Sequence, residues 1–136
     1  MKKTLSLLLL LTLASCAGMM TKHRMKAADR KLLVTQTLQD EGRWEEAALM
    51  AEKMRSSVAK SVAESPMRQG ANGAEVDLRL LLASWEGGPW QELTSALQKR
   101  DEQRSTRAFA SLRQQCATCH LVLGRTDIKI TEWPRP

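Results

Sequence analysis

Apolar side chains recur at three- and four-residue spacing along almost the whole chain, the pattern of helices that each bury one stripe. Met25, Ala28, Leu32 and Leu33, with Leu38 beyond, predict a first helix that ends near Asp40-Glu41-Gly42, where Gly42 can take the left-handed stop. Trp44, Ala47, Ala48, Ala51, Met54, Val58 and Val62 give the clearest stripe and predict a second helix. Ser65-Pro66 closes it, because a residue before proline is pushed out of the helical region. Residues 66–73 read as a loop. The spacing then predicts helix over residues 74–85, a break at Gly87-Gly88-Pro89, and a restart at Trp90 with Leu93, Ala96 and Leu97, since proline suits a helix start. A last helix begins between Asp101 and Ser105 and carries Phe109, Leu112, Cys116, Cys119 and Leu123 on one side. Strand-like alternation is confined to Ile128-Lys129-Ile130. Four helices with short connections predict an all-α fold, an antiparallel four-helix bundle.

Residues 1–15 depart from this pattern. Lys2 and Lys3 form a basic start, residues 5–13 form an apolar run too short to span a bilayer, and small residues precede Cys16. This is the layout of an export signal cleaved before a cysteine. An ordinary cleavage site favours a small residue at that position, whereas a lipoprotein needs the Cys16 thiol to carry a lipid; simple cleavage and an uncleaved anchor are the alternatives. The expected organisation is a signal peptide at 1–15, a lipidated tether at 16–24, the bundle at 25–124 and a tail at 125–136. Two or more acyl chains hold a protein stably to a membrane. Ala17, where an Asp would retain a sorted bacterial lipoprotein at the inner membrane, resembles the outer-membrane class, so the chain is expected lipid-anchored on the periplasmic side of the envelope.

Charge excludes one class of partner. Removing Lys2 and Lys3 lowers the formal net charge from +6 to +4, and the remaining basic residues alternate with acidic ones, as in Arg43-Trp44-Glu45-Glu46. That is the texture of solvated helix faces and not of a nucleic-acid footprint.

The chemistry is concentrated in Cys116-Ala117-Thr118-Cys119-His120. This spells CxxCH, the attachment sequence for a covalent c-type haem, and it stands behind an export signal. On a helix the two thiols and the imidazole project from one side, so Cys116 and Cys119 can hold one haem edge by thioethers while His120 ligates the iron. With Cys16 lipidated, none of the three cysteines is left for a disulfide. A thioredoxin-like CxxC needs a βαβ setting that the helical period denies, and a zinc site lacks a fourth ligand. Phe109 and Leu112, on the same side and earlier in the helix, are expected to line the haem, or else to be plain core. There is no nucleophile and base pair and no phosphate-binding glycine loop, so no enzyme is expected.

Sixteen residues follow His120, so any enclosing helices come earlier in the chain. A CxxCH in the last helix of a four-helix bundle resembles the class II c-type cytochromes, the cytochrome c′ and cytochrome c-556 group. The likeness runs over about residues 22–125, and Asp101 stands where that family often opens its last helix with an acidic residue. The chain departs from the family where an arginine often lies four residues after the haem histidine: Gly124 is there and Arg125 is one later, which puts a propionate role for Arg125 in doubt. The tail, with Trp133, is longer than usual.

The resemblance implies that a residue of the first helix sits above the iron. Met25 is the candidate distal ligand, with core packing as its alternative; His23 is a second candidate. Arg24 and Lys26 could meet the haem propionates, or be solvated. Trp44, Trp85 and Trp90 read as core and loop packing, with a stacked electron path as the alternative. A filled sixth position implies an electron carrier working with a periplasmic or membrane redox partner. An open one implies a protein that binds NO, CO or another small gas. Family members often pair through their first two helices, so a homodimer is compatible with the chain.

Overall fold

The structure, a computed structural model, describes the backbone of residues 2–132 and the side chains of residues 18–132. It is mostly helical. Helix α1 runs Lys2–Asp40 and α2 Trp44–Glu64; a small β-hairpin follows, β1 Met67–Gln69 and β2 Glu75–Asp77. Then come α3 Leu78–Trp85, a π-helical turn Glu86–Trp90, α4 Gln91–Gln98 and α5 Glu102–Val122. Among the described residues no helix is long and apolar enough to cross a membrane.

The helix ends follow from local chemistry. At the end of α1, Gly42 takes φ +74, and its N–H and that of Arg43 donate back to Gln39 and Leu38 at 2.9 and 2.8 Å, which satisfies carbonyls the helix would leave open. The same motif ends α4, with Arg100 in the left-handed conformation at φ 53. Asp101 then caps α5, its carboxylate accepting from the Arg104 N–H at 2.9 Å. The first two helices end and start where the apolar period places them.

Charged and polar cross-links tie the helices together. Arg24 pairs with Glu64, and the Lys31 ammonium donates to the Ser57 hydroxyl at 2.6 Å, so the far end of α2 lies back along α1. Arg55 meets Glu86 at 2.8 Å, Arg100 meets Glu45 at 2.6 Å, and Arg104 meets Glu92 at 2.8 Å. Between them sits an apolar core built on Leu32, Ala47, Ala51, Met54, Leu93, Leu97, Phe109 and Leu112. Alanines on the α2 stripe let its neighbours pack closely.

Three local expectations are corrected. The third helical stretch starts at Leu78 and not at residue 74, because residues 75–77 pair with residues 67–69 as a hairpin that takes up the expected loop and the expected first turn of the helix. Asp77 caps the helix, accepting from the Arg79 N–H at 2.9 Å. Gly87-Gly88-Pro89 does not break the helix. Proline lacks a donor and would clash with the carbonyl four residues back; the wider π turn absorbs both defects. That widening also lets Trp85 and Trp90 stack, with ring centroids 5.6 Å apart and planes 18° from parallel. Ile128-Lys129-Ile130 forms no strand and runs as an irregular segment against the helices. Trp133 lies outside the described residues.

Candidate functional site

The site is built on the last turns of α5. Phe109 and Leu112 are fully buried and anchor the middle of the helix in the core. Cys116, Cys119 and His120 follow on the half-buried side, with Leu121 and Val122 exposed beside them. Phe109 and Leu112 therefore stand in the apolar core with Leu93 and Leu97, and the Arg113 guanidinium lies over the Phe109 ring, 5.9 Å from its centre.

Burial governs the chemistry of the three motif residues. It pushes the Cys116 thiol up to about 11, with further upward pressure from Cys119 and Asp29 and a small opposing effect of Trp85. It raises Cys119 as well. It holds His120 below the usual imidazole range, helped by the Arg125 charge and opposed by Asp127 and Asp29. At neutral pH the site thus presents two thiols and an uncharged imidazole.

Two buried polar atoms at this site lack a hydrogen-bond partner: Nδ1 of His120 and Nε1 of Trp85. The Trp85 indole N–H lies near enough to Cys116 to favour its thiolate, yet makes no hydrogen bond of normal distance and angle. Leaving buried donors or acceptors unpaired costs free energy; the other two such side-chain atoms among the described residues, on Arg24 and Gln39, lie on α1.

The end of α5 is held from two sides. Gly124, at φ +70, lets its own N–H and that of Arg125 donate to Leu121 and His120 at 2.9 and 2.8 Å. The hairpin tip adds a third bond, from the Ala71 N–H to the Val122 carbonyl at 2.9 Å. A β-carbon on Gly70 would come 2.9 Å from Val76 and 3.2 Å from the Val122 carbonyl oxygen, so the tip can approach only with glycine there.

The tail closes the α1 side. The Asp29 carboxylate accepts from the Thr131 N–H at 3.1 Å and from its hydroxyl at 2.6 Å; Arg113 donates to the Thr131 carbonyl at 3.1 Å and to the Gln36 side chain at 2.5 Å. Asp29 stands within electrostatic reach of Cys116, His120 and Arg113. Sequence reasoning missed Asp29, Arg113, Thr131 and the hairpin. A lone Asp inside a helix and a Thr in a tail carry no pattern, and only the fold brings them together.

Of the first-helix candidates, Met25 is half-buried one turn before Asp29, on the side of α1 that also buries Ala28 and Leu32. His23 is exposed and lines a groove against α2. Arg24 is engaged with Glu64, and Lys26 is exposed. Arg125 pairs with Asp127 at 3.1 Å. The Cys16 side chain lies outside the described residues. Among the described residues no group of three or more His, Cys, Asp or Glu is arranged to hold a metal ion, and Cys116 and Cys119 are free thiols. No family model, curated protein or solved structure matches this chain.

Proposed function

We propose that the chain is a monohaem c-type cytochrome, an antiparallel four-helix bundle of the class II kind, tethered by a lipid on Cys16 and passing electrons to a periplasmic or membrane redox partner. One observation carries the reading: CxxCH lies on the half-buried side of α5 beside two buried polar atoms that lack partners, His120 Nδ1 and Trp85 Nε1. The ladder of cross-links from α1 to α2, from α2 to the turn between α4 and α5, and from α4 to α5 supports the bundle.

The residues fit the group. Cys116 and Cys119 are reduced and protonated, the form in which S–H adds across a vinyl group; His120 is uncharged, the form in which its nitrogen can ligate iron. The haem supplies a one-electron iron couple. What this chain supplies is position and environment. The capped end of α5 fixes the His120 backbone, Trp85 covers the Cys116 side, and Asp29 with Arg113 sets the charge at the α1 edge. Met25, half-buried on the Asp29 side of α1, supports a closed sixth position better than exposed His23 does, and so supports electron transfer over gas binding.

An absorption spectrum of the matured protein, ferric and dithionite-reduced, with and without CO, tests this. Sharp low-spin ferrous bands that ignore CO, and that turn CO-sensitive in Met25→Ala, are the expected result. High-spin bands that shift with CO in the native chain would replace electron transfer with gas binding, and no haem bands would remove the proposal.

A further inference from the structure

The outer face of the α1–α2 hairpin carries an electropositive groove of about 400 Å³ that the haem reading does not use. His23, Lys31, Lys53, Lys60, Ser56 and Ser57 line it, with Arg24 at one end. Arg24 is neutralised by Glu64. Lys31 donates to the Ser57 hydroxyl and to the Lys53 carbonyl, while Lys53 and Lys60 have no ion pair among the described residues. Three lysines share one concavity without a carboxylate of their own. Like charges repel there, and the folded chain bears that cost in a place where a solvated helix face would interleave acids.

Apolar side chains extend this face. Met19 and Met20 are 70% and 50% exposed on α1, one turn before His23; beyond the groove, Val34 is 42% and Leu49 66% exposed. Apolar residues at both ends of a basic groove, along one side of two helices, are the composition of a surface that rests in a lipid interface: methionine and leucine enter the acyl boundary and lysines meet phosphates. Seven residues, two helical turns, separate His23 from Cys16 along the sequence.

We infer that this face docks the hairpin flat on an anionic phospholipid surface, with headgroup phosphates seated in the groove against Lys31, Lys53 and Lys60. The fold gives the docking a consequence. Asp29 and Gln36, on the other side of α1, reach the tail and α5, so Cys116 and His120 are turned away from the bilayer and toward a soluble partner. The inference takes from the proposed lipid tether only the membrane that meets the face, and the charge pattern stands without it.

The test uses the full matured chain on vesicles of phosphatidylcholine, with or without phosphatidylglycerol. Lysines are labelled by an amine-reactive reagent and read peptide by peptide by mass spectrometry. Labelling at Lys53 and Lys60 should fall about fivefold or more with phosphatidylglycerol, the ratio one favourable lysine contact gives. Exposed Lys99, at the α4–α5 turn, should not change. Protection at Lys31 should vanish in Lys53→Glu/Lys60→Glu, whose haem bands stay as in the native protein. Equal labelling on both vesicles overturns the inference. So does protection by added inorganic phosphate on phosphatidylcholine, which would make the groove a free-anion site. Protection that grows with protein density on phosphatidylcholine would assign the face to a second copy and overturn it too. The mass of the N-terminal peptide reads the Cys16 lipid separately, so a failed tether and a failed docking face are told apart.

Discussion

Raising the pH should weaken the haem-free chain through Cys116. Burial, with Cys119 and Asp29, pushes its thiol from an ordinary 9.0 to about 11. Between those values the native state keeps a proton that the unfolded chain gives up. Stability is therefore undiminished below about pH 9 and falls as the pH climbs toward about 11. Two pH units correspond to about 2.7 kcal/mol, a large part of the 5–15 kcal/mol or so that holds a typical domain together. Cys119, raised by its own burial, pulls the same way. Urea unfolding of the reduced apo-protein at about pH 8 and about pH 11 measures the loss. Lysines also titrate in that range, so the quantity read is the difference between the native chain and Cys116→Ala. Alkylation by iodoacetamide gives an independent view, with the Cys116 rate rising at a midpoint near 11. Trp85→Phe should move that midpoint higher still, because the indole N–H favours the thiolate. Once both sulfurs are thioethers the dependence should disappear. A Cys116 midpoint near 9, or a pH response unchanged in Cys116→Ala, would refute the reasoning.

Other consequences are more local. Arg100→Gly should stabilise the chain by about 1 kcal/mol, because arginine is strained at φ 53 and its exposed pair with Glu45 contributes little; a thermal melt that fell would count against the motif. Gly124→Ala should cost about 1 kcal/mol or more, since φ +70 disfavours a β-carbon and the added methyl would lie 3.4 Å from Ala71. Asp29→Ala should speed amide exchange at residues 128–131 and leave α2 unchanged; equal protection would mean that Ile130 packing alone holds the tail. Phe109→Ala, at a position with no exposure, should cost about 3–5 kcal/mol by urea denaturation.

The parts of the fold legible in the sequence are those encoded by period and punctuation. The stop at Gly42 and the stripe from Trp44 to Val62 predict the end of the first helix and the span of the second, as the structure has them, whereas the first helix begins at Lys2 and not near Met25. Asp101 announces the last helix by its capping chemistry. What the sequence hid depends on partners far along the chain. Residues 67–69 are too short and polar to read as a strand alone; they pair because Gly70 lets the turn close against the end of α5. Gly87-Gly88-Pro89 reads as punctuation by every local rule, but packing of Trp85 and Trp90 in the core favours a continuous helix that widens. The motif residues were legible and their surroundings were not: Cys116 and His120 announce themselves, whereas Asp29 and Thr131, 102 residues apart, meet only through tertiary contact.

Those surroundings explain how the motif can keep a fixed geometry at a helix end. Terminal turns fray, because their last carbonyls have no partner inside the helix. A fraying turn would let His120 and the two cysteines sample many relative positions. Here the His120, Leu121 and Val122 carbonyls each receive an N–H, from Arg125, Gly124 and Ala71. Satisfying three adjacent carbonyls removes the main local reason for the turn to open, and the tail braces the helix two turns earlier through Arg113. The backbone of the motif is thus fixed by contacts that do not involve its side chains, while the side chains keep the unpaired Nδ1 and the neutral thiols. Order in the backbone with unsatisfied chemistry in the side chains is what the proposed haem attachment requires of this turn.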